Sequence, residues 1–184
     1  MSRISFAVAL CAGLTAFGGW ARAQSPSGPE PGAAVPALKV VVGAGERAGE
    51  AADLAKERAE KPTVYLFVRA DKWDRPMARY LRVLDQKLAQ GVAGAEEAQV
   101  VITWLTDDVD KAKNYLPLAQ QSLKFERSTL SVFPGARTGP DGWMINDAAY
   151  LTSVVAKKGK VVERFGFVNV GESDVEAALA ALAK

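Results

Sequence analysis

The sequence predicts an α/β protein: a three-layer α/β/α sandwich whose mixed sheet runs parallel at first and closes on an antiparallel hairpin. Three observations carry this. The runs PTVYLFVRA (62–70) and AQVVITWLT (98–106) are β-branched and aromatic and apolar on both faces, as strands buried in the middle of a sheet are. A helix-forming stretch follows each, which is the alternation that builds a parallel sheet. Near the end, YLTSVVA and KVVERFGFV flank KKG and read as a β-hairpin.

The first 23 residues are set apart from this domain. MSR is a short basic start, ISFAVALCAGLTAF is apolar, and ARA at Ala21–Ala23 has the small-x-small pattern of a signal-peptide cleavage site, so that Gln24 begins the mature chain. Retention as a membrane anchor is disfavoured, because the run is shorter than the ~20 apolar residues of a spanning helix. Cys11 does not suit a lipoprotein site, with the large Leu10 before it, and leaves with the leader. Residues 24–37, QSPSGPEPGAAVPA, offer little to bury and predict a disordered tether. The folded domain spans 38–184.

Within it, LKVVVG (38–43) predicts a short strand. GEAADLAKERAEK (49–61) is rich in helix formers and stops at Pro62. Residues 74–90 predict a helix with Met77, Tyr80, Leu81, Leu84 and Leu88 on one stripe and Arg79, Arg82 and Asp85 off it. DDVDKAKNYLPLAQQSLKF (107–125) is helical in tendency, with a kink or a restart expected at Pro117. STLSVF (128–133) is a minor strand, and 134–149 a long loop. The last helix is SDVEAALAALAK, with Ser173 and Glu176 forming a capping box. Helices are expected on both faces of the sheet.

Composition removes whole classes of function. The chain has 23 Lys plus Arg, 21 Asp plus Glu, no histidine and one cysteine. Loss of the leader takes Arg3 and Arg22 with it, leaving basic and acidic residues in balance, so nothing draws in a phosphate backbone and nucleic acid is not an expected partner. Without His or Cys, the mature chain lacks the usual ligands of zinc, haem, iron–sulfur and copper, and lacks Ser-His-Asp and Cys-His catalysis. No cofactor is expected, and no membrane insertion after cleavage. An exported location, periplasmic or secreted, follows from the leader.

EKPTVYLFVRADKWDRPM resembles the strand, loop and helix start of thioredoxins, and YLTSVVAKKGKVVERFGF is similar to the terminal hairpin of thioredoxin and peroxiredoxin-like proteins. The likeness covers about residues 38–184 and implies a thioredoxin-like fold. Trp73 and Pro76 stand at the Trp and Pro of the family's Trp-Cys-Gly-Pro-Cys element, Asp74 and Met77 replace the two cysteines, and Arg75 replaces the glycine. The cis-proline that the family places before the hairpin is also missing, its place taken by Ala149 and Tyr150. A carboxylate and a thioether cannot exchange disulfides, so thiol oxidoreductase and thiol peroxidase activities are excluded and no catalytic residue is assigned.

What remains at that position is open between two readings. Asp74 and Pro76 suit a helix start. Trp73, Asp74 and Arg75, with Trp143 and Tyr150 expected at the same surface, suit contact with a protein or peptide partner, since aromatic groups with one polar edge serve such contacts. The alternative is an enzyme on this scaffold using Asp74 and Asp108 as acid and base, with a divalent cation among Asp74, Asp107 and Asp108, because loops after parallel neighbouring strands emerge at one edge. TDDVD is also an ordinary acidic helix start. GAGERAG (43–49) lacks the spacing and lysine of a phosphate loop.

Overall fold

A computed structural model describes residues 26–184; the leader and its cleavage site lie outside the described residues. Seven strands form one sheet: β1 Lys39–Val42, β2 Ala51–Asp53, β3 Thr63–Arg69, β4 Gln99–Leu105, β5 Ser128–Val132, β6 Leu151–Lys157 and β7 Lys160–Phe167. The helices are α1 Leu54–Arg58, α2 Arg75–Gln90, α3 Val109–Leu123 and α4 Val175–Ala183. The spatial order is β2-β1-β5-β4-β3-β6-β7, with β3, β4 and β5 mutually parallel and every other pairing antiparallel. This is the expected mixed α/β sheet, but it is antiparallel at both ends rather than only at the last.

The two crossovers, β3-α2-β4 and β4-α3-β5, step in the same direction across the sheet. Right-handed connections therefore put α2 and α3 on the same face, and α4 joins them there. Strand alternation follows suit. Val64, Leu66, Val68, Val100, Ile102 and Trp104 pack with these helices, whereas Tyr65, Phe67, Val101 and Leu105 point to the opposite core. Among the described residues the second face has only the five-residue α1 as its helix and is completed by extended chain.

That chain includes the segment expected to be a tether, and the expectation is corrected for residues 26–37. Ser27 is buried, its hydroxyl 2.5 Å from that of Thr152 and accepting from the Asn146 N–H at 2.9 Å. Gly28 donates to the Met144 carbonyl, and Arg164 holds the Gly28 carbonyl and Glu30. Gly32, Ala33 and Val35 then bond to Gly159 and Val161 along the start of β7. Small and proline residues were expected to bury little, yet here their backbone satisfies itself on a sheet face and edge that would otherwise be bare.

Three further expectations are corrected. The helix over 49–61 is split: Ala51–Asp53 form an edge strand on β1, and Asp53 caps α1 by accepting from the Lys56 N–H at 3.1 Å. Asp85 does not lie outside the packed face of α2; it is buried, and its carboxylate accepts from the Glu126 and Arg127 N–H groups and the Ser128 hydroxyl. At α4 the Ser173/Glu176 box is replaced by Asp174 accepting from the Gly171 N–H at 2.8 Å, and a 3-10 turn precedes the helix. α3 runs without interruption through Pro117, whose ring is on the exposed side. GAGERAG is the β1–β2 connection. A Cβ on Gly43 would strike Leu116, so glycine there lets α3 approach β1.

Candidate functional site

The site grows from the end of β3. A 3-10 turn over Ala70–Lys72 brings the chain off the sheet, and Asp74, extended in backbone, starts α2. Its carboxylate accepts from the Met77 N–H at 2.9 Å while Pro76 occupies the first turn, where a missing N–H costs nothing. Asp74 therefore stands as a helix cap. Met77 is fully packed in the core.

Trp73 leans across the gap to α3. Its ring centroid is 4.8 Å from that of the buried Trp104, tilted at 59°, and its indole N–H donates to the Tyr115 hydroxyl at 2.8 Å. This pair forms a partition. On one side, a depression of about 520 Å³ is lined by Asp74, Arg75, Ala78, Leu118, Ser122 and Leu123 together with both partition residues. On the other, one of about 360 Å³ has Trp104 as its floor and is edged by Asp71, Thr106, Asp108 and Lys111. Tyr115 is 39 % and Leu118 62 % exposed, the latter a large apolar side chain open to solvent on the first depression.

The acidic residues do not converge. Asp108 caps α3 by accepting from the Lys111 N–H at 2.9 Å. Asp107 lies 3.6 Å from Arg137, which also reaches Asp71 at 3.9 Å, while Asp71 pairs with Arg69 at 3.3 Å. Asp74 and Asp108 border different depressions, with the Trp73–Tyr115 partition between them. Among the described residues no three carboxylates are gathered closely enough to hold a metal ion. The acid–base pair Asp74/Asp108 and the cation set Asp74, Asp107, Asp108 are thus corrected: parallel strands brought the loops to one edge, but each carboxylate is turned to its own helix start or arginine.

Trp143 is corrected as well. It is completely buried on the opposite face of the sheet, stacked at an angle against Tyr65 (5.0 Å) and Phe67 (4.7 Å), its indole N–H donating to the Ala37 carbonyl at 3.0 Å. The 134–149 loop crosses the face that lacks long helices, and its Trp fills the core there. Tyr150 is half-buried at the rim. Its carbonyl accepts from Arg69, its N–H donates to Phe167, and the Lys72 ammonium sits 5.2 Å above its ring. It adjoins the 70–72 turn but lines neither depression. Of the five expected binding residues, Trp73, Asp74 and Arg75 share a surface.

Sequence reasoning missed Tyr115 and Leu118. The signal was present: the buried stripe of α3 is Ala112, Leu116 and Ala119, and Tyr115 and Leu118 are apolar residues lying off it.

No protein-family model matches the chain, and no curated protein matches it. Solved structures do. A candidate thiol:disulfide interchange protein, DsbE, from Chlorobium tepidum superposes with a TM-score of 0.60 at 20 % identity, over 84 % of this chain and 99 % of that one. The pneumococcal exposed lipoprotein thioredoxin Etrx1 from Streptococcus pneumoniae gives 0.55 at 14 %, covering 79 % and 98 %. The peroxidoxin BcpB from Mycobacterium tuberculosis gives 0.56 at 19 %, covering 84 % and 96 %. The fold is thioredoxin-like, and the one cysteine in the sequence, Cys11, cannot supply a Cys-x-x-Cys pair.

Proposed function

We propose that this thioredoxin-fold chain is exported and acts as a binding module for a protein or peptide rather than as an oxidoreductase. The observation that supports it most directly is the groove beside the Trp73–Tyr115 partition. An indole held by a ring neighbour and a hydrogen bond stands next to an exposed Tyr115 and Leu118, with Arg75 at the mouth. Rigid aromatic groups with an apolar companion and an arginine are the side chains that dominate protein recognition. With no thiol in residues 24–184, the surface has no nucleophile of the kind that disulfide exchange needs. Export is supported by the leader pattern and by a structural neighbour that is an exposed lipoprotein.

The test is site-specific photo-crosslinking in the producing cell, with a benzophenone amino acid at Leu118 in one variant and at the exposed Met144, outside the groove, in another. Capture of a discrete exported partner from position 118 alone, abolished by Trp73→Ala in a chain that circular dichroism shows to be folded, is the expected result. Equal capture from both positions would remove the groove from consideration. The amino terminus of the exported protein is expected at Gln24.

A further inference from the structure

From the charge pattern of α2 we infer that the partner of this groove is an acidic peptide segment, lying along α2 with an apolar side chain seated between Trp73, Tyr115 and Leu118. The inference rests on the binding reading above and names the chemistry of what binds.

Residues 24–184 carry equal numbers of basic and acidic side chains, so a randomly placed helix face would show both. The solvent face of α2 does not. Arg75, Arg79 and Arg82 recur at i, i+4 and i+7, a single stripe on the helix, and all three are exposed. The only acidic residue of α2, Asp85, is buried and committed to the 126–128 backbone and Ser128. Among the described residues Arg75 and Arg82 have no ion-pair or hydrogen-bonding partner, and Arg79 has one, Glu172 at 3.2 Å, with both side chains about half exposed. Arg75 lines both the aromatic depression and a second one formed with Pro76, Arg79, Gly171 and Glu172, so the basic stripe begins where the apolar groove opens.

The opposing charge at the groove is already used. Asp74, the one carboxylate among the described residues that line it, accepts from the Met77 N–H and faces the positive end of α2. An incoming segment thus meets the unpaired Arg75 and Arg82 guanidinium groups, about 10 Å apart by the rise across seven residues, with Arg79 between them paired to Glu172, next to an apolar pocket. Carboxylates flanking an apolar anchor match that arrangement, because Arg pairs with carboxylate in bidentate geometry and charge complementarity sets partner choice. A phosphate polymer would match the stripe but not the aromatic pocket, and residues 24–184 carry no basic excess to draw one in.

The experiment is selection from a random 12-residue displayed peptide library against the full chain, in parallel with a folded Arg75→Gln, Arg82→Gln variant. Vesicles of phosphatidylglycerol with phosphatidylethanolamine and a single-stranded DNA 20-mer serve as competing probes. Selected peptides are expected to place Asp or Glu around a Leu or aromatic residue. They should bind the double variant at least about tenfold more weakly, and lose affinity as salt is raised. Peptides that need Trp73 and Leu118 but show no acidic bias would overturn this inference and leave the binding reading standing. Failure to select any peptide would overturn both. Vesicle or DNA binding through the same arginines, stronger than that of any selected peptide, would overturn the assignment to an acidic peptide.

Discussion

Asp85 shows how much can turn on one side chain. It looked like an exposed acid on a helix flank, yet one oxygen accepts from Arg127 and Ser128 and the other from Glu126, at 2.5 to 2.9 Å. Asp85→Asn keeps the shape but turns an amide NH₂ toward backbone donors, and a loss of about 2–3 kcal/mol in urea unfolding is expected; a change below about 0.5 kcal/mol would mean the loop holds itself. Ser153 is the opposite case. Its hydroxyl and that of Tyr80 are buried neighbours, yet neither closes a hydrogen bond of good geometry among the described residues, so Ser153→Ala is expected to leave stability unchanged or raise it by up to about 1 kcal/mol. Burial raises the Tyr80 hydroxyl well above its usual 10.0 and pushes Tyr65 up to about 12. Both phenols are held neutral by the fold, so their contribution is complete below pH 10.0 and is lost as pH climbs past it; unfolding midpoints followed by circular dichroism should be flat approaching that point and fall beyond it. At this scale the sequence was least informative. Trp73 and Trp143 read alike as loop tryptophans, and only the sheet face that each loop crosses makes one a groove wall and the other core.

Elements were legible where their length and period agreed. The long apolar strands β3 and β4 and the five-residue stripe of α2 are dictated by their own side chains. The failures lie where pairing overrides propensity. Ala51 and Ala52 are good helix formers, but β1 has a free edge beside them and takes them as β2. The β6–β7 turn was legible from its glycine, and Lys158 and Gly159 both adopt positive φ, 51° and 70°, as a two-residue hairpin loop requires. α3 retains a proline in its interior, which removes the ladder bond that residue 117 would otherwise donate to the Lys113 carbonyl. Pro117→Ala is therefore expected to stabilise the chain, by roughly 1–3 kcal/mol less a small gain in unfolded-state entropy. Denaturation midpoints check this, and a destabilised variant would show that the proline shapes α3 to fit the sheet.

On the scale of the whole molecule, the described residues dress the sheet unequally, with α2, α3 and α4 on one face and the short α1 plus coil on the other. That asymmetry makes residues 26–37 part of the fold. Ser27, Gly28 and Pro29 are buried, and the Arg164 guanidinium is satisfied by the Gly28 carbonyl and Glu30. Gly28 has φ 111° and sits so close to β6 that a Cβ would come within 2.6 Å of Val154 Cγ2, a position only glycine fills. A chain beginning at Leu38 would bare Thr152 and Val154, leave Arg164 without its carbonyl and carboxylate, and expose the lower edge of β7. A loss of several kcal/mol relative to residues 24–184 is expected, about 1–3 kcal/mol for each orphaned buried group. Gly28→Ala in the full segment should give an intermediate loss. Chemical denaturation of the three proteins decides it: equal midpoints would return the segment to the tether its composition suggests, whereas graded midpoints would show that backbone hydrogen bonds, rather than side-chain burial, can recruit a Pro/Gly/Ala stretch into a fold.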